Sequence, residues 1–161
     1  GAHVRDCGAK KDRNLMQITI QEYGIDELIR RVNSMADPAQ ARATRRRMLR
    51  AGIRVIERHT KNLMTGTRSG RVYTIGGKTH IASAPGEPPA VDTGNLKNSL
   101  RVLEVTDDYA SFGTSVDYGA DLEFGSRRIA ARPFLRPAAE NSVGDVTAAM
   151  TAVADEALDG R

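Results

Sequence analysis

The chain has 161 residues, 40% of them hydrophobic, 4% aromatic and none tryptophan. That length suits one domain, with a core built from Ala, Val, Ile and Leu. The single cysteine, Cys7, excludes an internal disulfide and a paired-cysteine zinc knuckle. No apolar run approaches the ~20 residues of a membrane span, and no signal-peptide segment is evident.

The net charge of +4 divides unevenly: residues 1–80 carry 17 Lys/Arg against 7 Asp/Glu, and residues 81–161 carry 7 against 13. Such a split suits a basic surface that meets nucleic acid or an acidic protein. It equally suits the basic face of one copy meeting the acidic face of the next in a head-to-tail ring.

Gly1-Ala2-His3 reads as a cloning remnant, and residues 1–15 are set aside as an unpatterned extension. Met16 is a candidate natural start, and 16–161 is read as one domain. Residues 17–21 alternate like a half-buried strand, and 25–35 read as a helix. Asp37-Pro38 opens a long helix to about Met64, with Asp as N-cap and Pro in the first position. Met48, Leu49, Gly52, Val55, Ile56, His59 and Leu63 form its apolar face, while Arg42, Arg46, Arg50, Arg54 and Arg58 form a ridge on the other side. Residues 72–75 and 78–81 predict a hairpin turning on Gly76-Gly77. A stiff segment with Pro85, Gly86, Pro88 and Pro89 follows, then a short helix from Asn95, capped by Asp92 or Thr93 ahead of Gly94. A second hairpin, 100–105 and 110–116, flanks Asp107-Asp108. Residues 117–124 form a short helix ended by Gly125. Pro133 then opens one C-terminal helix with Ala139, Val143, Val146, Met150, Val153 and Ala157 at helical spacing. The expected fold is α+β: a small antiparallel sheet packed against two long helices, with a projecting hairpin and Pro-rich arm.

Chemistry-bearing patterns are few. Eight basic residues and one acid, Glu57, lie between Arg42 and Lys61. That stretch is either a solvated face, a partner surface or a phosphate-binding surface. No aromatics accompany it for base stacking. Asp92-Thr93-Gly94 matches the core of the retropepsin-type aspartic protease motif, in which two chains each give one carboxylate. Here a Pro-rich segment precedes it where the protease needs a strand, so a helix cap is the simpler reading. Gly76-Gly77-Lys78-Thr79 lacks the upstream glycine of a phosphate-binding loop, since position 72 is Val. His59 reads as a core or half-buried histidine, and no two histidines share a metal-ligand spacing. Glu123 has Arg127 and Arg132 as candidate ion-pair partners, and Leu122, Phe124, Pro133 and Phe134 read as packing residues. The expectation is a protein without catalytic residues, cofactor or metal.

Three ordered segments, APGEPPAVDTGNLKNSL at 84–100, VDYGADLEFGS at 116–126 and ARPFLRPA at 131–138, resemble the neck or head–tail joining family of long-tailed bacteriophages. Members are often labelled minor tail component or tail completion protein. The resemblance runs from about Gln17 to the C-terminus. It implies a virion protein, assembled in the host cytoplasm, that forms a ring between the portal-side connector and the tail. Genomic DNA would pass through that ring, and an acidic protein neighbour is favoured over DNA for the arginine ridge. Residues 65–90 would be the joining arm, ordered on assembly.

Overall fold

A computed structural model describes residues 16–20 and 26–159. Expectations for residues 1–15 and Cys7 lie outside the described residues.

The first strand, β1 (Met16–Ile20), is followed by a short helix, α1 (Asp26–Asn33), which buries Leu28 and Val32. The long helix α2 (Pro38–Thr65) starts as its sequence dictates: the Asp37 carboxylate accepts from the Ala39 N–H at 2.8 Å, and Pro38 takes a position that needs no donor. Its buried side is broader than the expected apolar face: Ala41, Thr44, Ile53, Thr60 and Met64 join Met48, Leu49, Gly52, Val55 and Ile56. Thr44, Met48, Gly52, Ile56, Thr60 and Met64 are buried in a row of four-residue steps. The arginines from 42 to 58 keep the same step, offset by two residues, or about 200° around the helix. The two rows therefore stay opposed along its length, and all five arginines are exposed. Leu63 and His59 lie only at the flank, half-buried. Thr60 is tolerated in the core because its hydroxyl donates to the Ile56 carbonyl at 2.8 Å.

Next come β2 (Val72–Ile75) and β3 (Lys78–Ile81), paired only with each other. Gly76 and Gly77 have φ of 57° and 79°, the positive pair that a two-residue hairpin turn demands. After a short helix, α3 (Asn95–Ser99), strands β4 (Arg101–Val105) and β5 (Ala110–Thr114) form the second expected hairpin. β1 joins the other edge of β5, pairing Met16 with Thr114 and Ile20 with Ala110, so the antiparallel sheet has the order β1-β5-β4. β5 is central and buried at every position. Leu103 is an extra residue between the Val102–Phe112 and Glu104–Ser111 pairs, a bulge that bends β4.

Helix α4 (Gly119–Phe124) leads to a loop, and the expected single C-terminal helix proves to be two: α5 (Leu135–Asn141) and α6 (Val143–Leu158). The break is at the fully buried Ser142. Its N–H and its hydroxyl both donate to the Ala139 carbonyl at 3.2 Å, a tight turn competing with regular helix. The start is Leu135, two residues beyond Pro133. α2 forms the centre of the molecule, packed by α6, α5, α1 and the sheet. Its own Ile53 and Ile56 are fully buried in one core cluster with Phe112 and Phe134. The architecture is thus α+β, a small antiparallel sheet on two long helices, α2 and α6.

Candidate functional site

The three motif segments, far apart in sequence, form one hydrogen-bonded unit. α4 ends at Gly125, whose φ is 77°. A Cβ there would also come within 3.0 Å of the Ala131 N and 3.2 Å of the Ile129 O, so no other residue fits without strain. The chain then folds back: Ser126 N–H donates to the Ile129 O at 2.8 Å, and Arg132 N–H to the Leu122 O at 2.6 Å. This return brings the start of α5 onto Glu123. The buried Glu123 carboxylate accepts from the backbone N–H groups of Phe134 at 2.7 Å, Leu135 at 2.9 Å and Arg136 at 2.9 Å. Pro137 has no N–H to satisfy. A helix start that carries no side-chain cap of its own is therefore capped by a carboxylate from α4, at the end where the helix dipole favours negative charge. Glu123 thus pairs with neither Arg127 nor Arg132.

The Pro-rich segment is held against the same loop. Gly86 N–H donates to the Ala131 O at 2.8 Å, and the Arg132 guanidinium donates to the Ser83 O at 3.2 Å. Glu87 ties the two sides of the arm's root, accepting from the Ser69 hydroxyl at 2.6 Å, the Ser69 N–H at 3.1 Å and the Ala84 N–H at 2.8 Å. Arg68 donates to the carbonyls of Leu63 at 2.6 Å and Pro89 at 3.2 Å, and Pro89 is buried. Within residues 65–90 the β2–β3 hairpin projects, while Pro85, Gly86, Pro88 and Pro89 form part of a bonded root.

The Glu87 carboxyl is held at about 2, below its usual 4.5, first by the Ser69 hydroxyl and then by the Ala84 and Ser69 N–H groups. A depressed carboxylate contributes stability above its unfolded pKa and loses it as pH falls through the folded one. The root should therefore be intact above about pH 4.5 and open as pH approaches 2. The Ser69 and Ala84 amide resonances should titrate across that window in the native sequence and stay flat in Glu87→Gln.

Other expected site residues are placed differently. Asp92 caps no helix: its carboxylate meets His80 Nδ1 at 3.1 Å, across from β3. The N-cap of α3 is Gly94, with φ 80° and no side-chain cap. Thr93 Oγ1 accepts only a long 3.4 Å bond from the Asn95 N–H. His80 in turn stacks on Tyr73, ring centroids 5.6 Å apart. Asp92 is thus bound to a histidine of its own chain. Leu122 packs on the core and Phe134 lies inside it, but Phe124 is 46% exposed, so packing is not its role. Glycine's φ at 125 and the half-buried Pro133 shape the return loop.

The arginine ridge is partly neutralised from within. Arg46 pairs with Asp107, Arg45 lies 3.8 Å from Asp108, and Arg47 lies 3.2 Å from Glu156. Arg31 reaches Asp155 at 3.2 Å and His59 reaches Asp145 at 2.9 Å. With the His80–Asp92 pair, six contacts therefore join the basic half of the chain to its acidic half intramolecularly, which narrows the charge argument for association between copies. Arg42, Arg50, Arg54 and Arg58 are exposed and make no ion pair with another described residue. At the start of the ridge, Ala39, Arg42, Ala43, Arg46, Arg47 and Arg50 line an open cleft of about 380 Å³.

Among the described residues no group of three or more His, Cys, Asp or Glu could hold a metal ion, and no helix is long and apolar enough to cross a membrane. No protein-family model, curated protein or solved structure matches the chain.

Proposed function

We propose that this chain is a non-enzymatic structural subunit of a tailed-phage virion, acting at the head–tail junction as a ring that joins the connector to the tail. The observation that carries the reading is the convergence of the three motifs. The segments that bear the family resemblance are also the ones that bond to one another through Glu123, Ala131, Arg132 and Gly86. Such a unit has an evident mechanical use: it holds a projecting hairpin at a fixed angle to the helical body. The subunit works in the virion, after assembly in the host cytoplasm, and its partners are further copies of itself, the portal-side connector and tail proteins. It needs no cofactor.

Mixing the purified chain with connector rings of its phage tests this directly. Electron microscopy should show an added ring layer, and connectors that stay bare would overturn the reading. In this reading the open arginines face an acidic protein neighbour. Charge complementarity of that kind guides docking and is weakened by salt. Arg50→Glu with Arg54→Glu should weaken connector docking by about tenfold or more. Arg46 is unsuitable for that test, because reversing it would also break its pair with Asp107.

The exposed ridge favours one second reading, a small DNA-binding protein. Four open arginines engaging phosphates would give a log–log salt slope of about −4 on duplex DNA. Tight, steeply salt-dependent DNA binding that is lost in the same double reversal would support that reading over the first.

A further inference from the structure

The first half of α2 turns an open face to solvent. At about 100° per residue, Ala39, Ala43, Arg46 and Arg50 fall within about 60° of one another around the helix. Their steps of four, three and four residues are those of a coiled-coil seam, and Arg42 and Arg47 stand at the flanking positions. All six residues are exposed and line the open cleft of about 380 Å³. The cleft exists because two of the six end at Cβ, so the alanines leave a bare stretch of helix between longer arginines. From Ala39 to Arg50 the seam runs about 16 Å, or about three turns. Each end has a physical cause. Asp37 caps the helix before it, and the next seam position, Ile53, is fully buried.

The charges around this seam are of both signs. Arg46 is held by Asp107 of the β4–β5 turn, and Arg47 lies 3.2 Å from Glu156 of α6. Arg42 and Arg50 pair with no other described residue. The middle is therefore positive, while the neighbouring elements bring carboxylates to its edges. A string of phosphates meets those carboxylates with like charge. A helix can answer both signs, with carboxylates along its contact line and lysines beside it. Small residues opposite Ala39 and Ala43 let the two helix axes come close. The described helices of a second copy offer no such open line. Asp145, Asp155 and Glu156 of α6 are paired within their own chain, Glu57 of α2 is paired with Lys61, and Glu123 of α4 is buried.

We infer that this cleft seats one acidic helix of a partner protein, about three turns long, with small residues against Ala39 and Ala43 and carboxylates against Arg42, Arg46 and Arg50. The inference rests on the reading of the open arginines as a protein-facing surface, and it narrows that surface to the first half of the ridge. Arg54 and Arg58 lie beyond the buried Ile53 and outside the seam. They supply only longer-range attraction, which salt screens. Exposed ion pairs are individually weak. Selectivity therefore comes from the alanine floor and the arginine line acting together, since a helix with the wrong pattern meets one without the other.

Two stapled helical peptides of about three turns test it. One carries alanines and glutamates in the seam pattern, and the other has the same residues reordered so that the glutamates surround the helix. The patterned peptide should bind the full chain about tenfold more tightly than the reordered one, read by fluorescence anisotropy. Ala43→Leu keeps the charge and suits a helix but fills the floor. It should weaken the patterned peptide by about tenfold and leave the affinity for a short DNA duplex unchanged. Arg42→Ala with Arg50→Ala should weaken the peptide at least as much, whereas Arg54→Ala with Arg58→Ala should cost less than about threefold. Circular dichroism checks that each variant is folded. The inference is overturned if neither peptide binds, if both bind alike, or if Ala43→Leu has no effect. It is also overturned, in favour of phosphate binding, if the duplex displaces the peptide and depends equally on both arginine pairs. Peptide binding as described, with connectors that stay bare, would keep this seat and sink the head–tail reading. A peptide that fails to bind, with ring layers that form, would do the reverse.

Discussion

Glu123→Ala is expected to destabilise the protein by about 4 kcal/mol, the largest effect of any single change at the motif cluster. The carboxylate accepts three backbone N–H groups at 2.7–2.9 Å in a buried setting. Hydrogen bonds to a charged group contribute about 1.5–3 kcal/mol each, though they are not additive. Alanine would leave two buried donors at the start of α5, the Phe134 and Leu135 N–H groups, without their partner. Glu123→Gln keeps one acceptor oxygen but turns an amide N–H₂ toward donors, so it should recover about half of the loss. Chemical denaturation of the three chains measures both steps. A loss below about 1 kcal/mol in Glu123→Ala would mean that the α5 start is satisfied in another way. The same variant should loosen the arm root, because Ala131 and Arg132 belong to the loop that Glu123 closes.

The Glu123 cap is not legible in the sequence, because its partners are backbone N–H groups eleven to thirteen residues away. A carboxylate is read by looking for a cation, and Arg127 and Arg132 were the available ones. Backbone N–H groups have no side-chain signature, so the true partner left no mark. One indirect signal was present. α5 begins with Phe134, Leu135, Arg136 and Pro137 and has no Ser, Thr, Asp or Asn in the cap position, so its free donors had to be met from elsewhere. Local signals fared better. Asp37-Pro38 sets the start of α2, Gly76-Gly77 sets the hairpin turn, and Asp107-Asp108 marks the β4–β5 turn, each through chemistry within a few residues.

Long-range pairings were hidden for the same physical reason. The alternation of 17–21 suggested a strand but could not name β5 as its partner, since edge matching depends on the folded sheet. Asp92 had a local role available as a cap and a distant one with His80, and the distant one prevails. The charge division was legible, whereas its partial closure through Arg31, Arg45, Arg46, Arg47 and His59 needed the placement of α6 and the β4–β5 turn against α2.

Gly52→Leu should cost about 3 kcal/mol, because it drives a side chain into the crossing of α2 and α6. A Cβ at position 52 would already stand 3.0 Å from Met150 Sδ, 3.1 Å from Val146 Cγ1 and 3.2 Å from Met150 Cγ. Val146 and Met150 are almost wholly buried, so they have no solvent to yield into. Gly52→Ala is a different case. Its single methyl meets the flexible thioether end of Met150, and alanine gains about 1 kcal/mol over glycine in helix propensity. The two terms nearly cancel, and the change should stay within about 1 kcal/mol of the native sequence. Met150→Ala alone would open a cavity and destabilise. Combined with Gly52→Leu it should restore part of the loss, because the new side chain fills the space that the methionine leaves. A double-mutant cycle in urea reads that coupling as a stability above the sum of the single changes. Additive losses, or a Gly52→Leu chain as stable as the native one, would show that α6 does not cross at Gly52. The consequence reaches the motif cluster: α6 is joined through the buried Ser142 to α5, whose first turn is held by Glu123. A displaced α6 should therefore carry strain to the root of the hairpin, and ring assembly on the connector should fall along with stability in Gly52→Leu but not in Gly52→Ala.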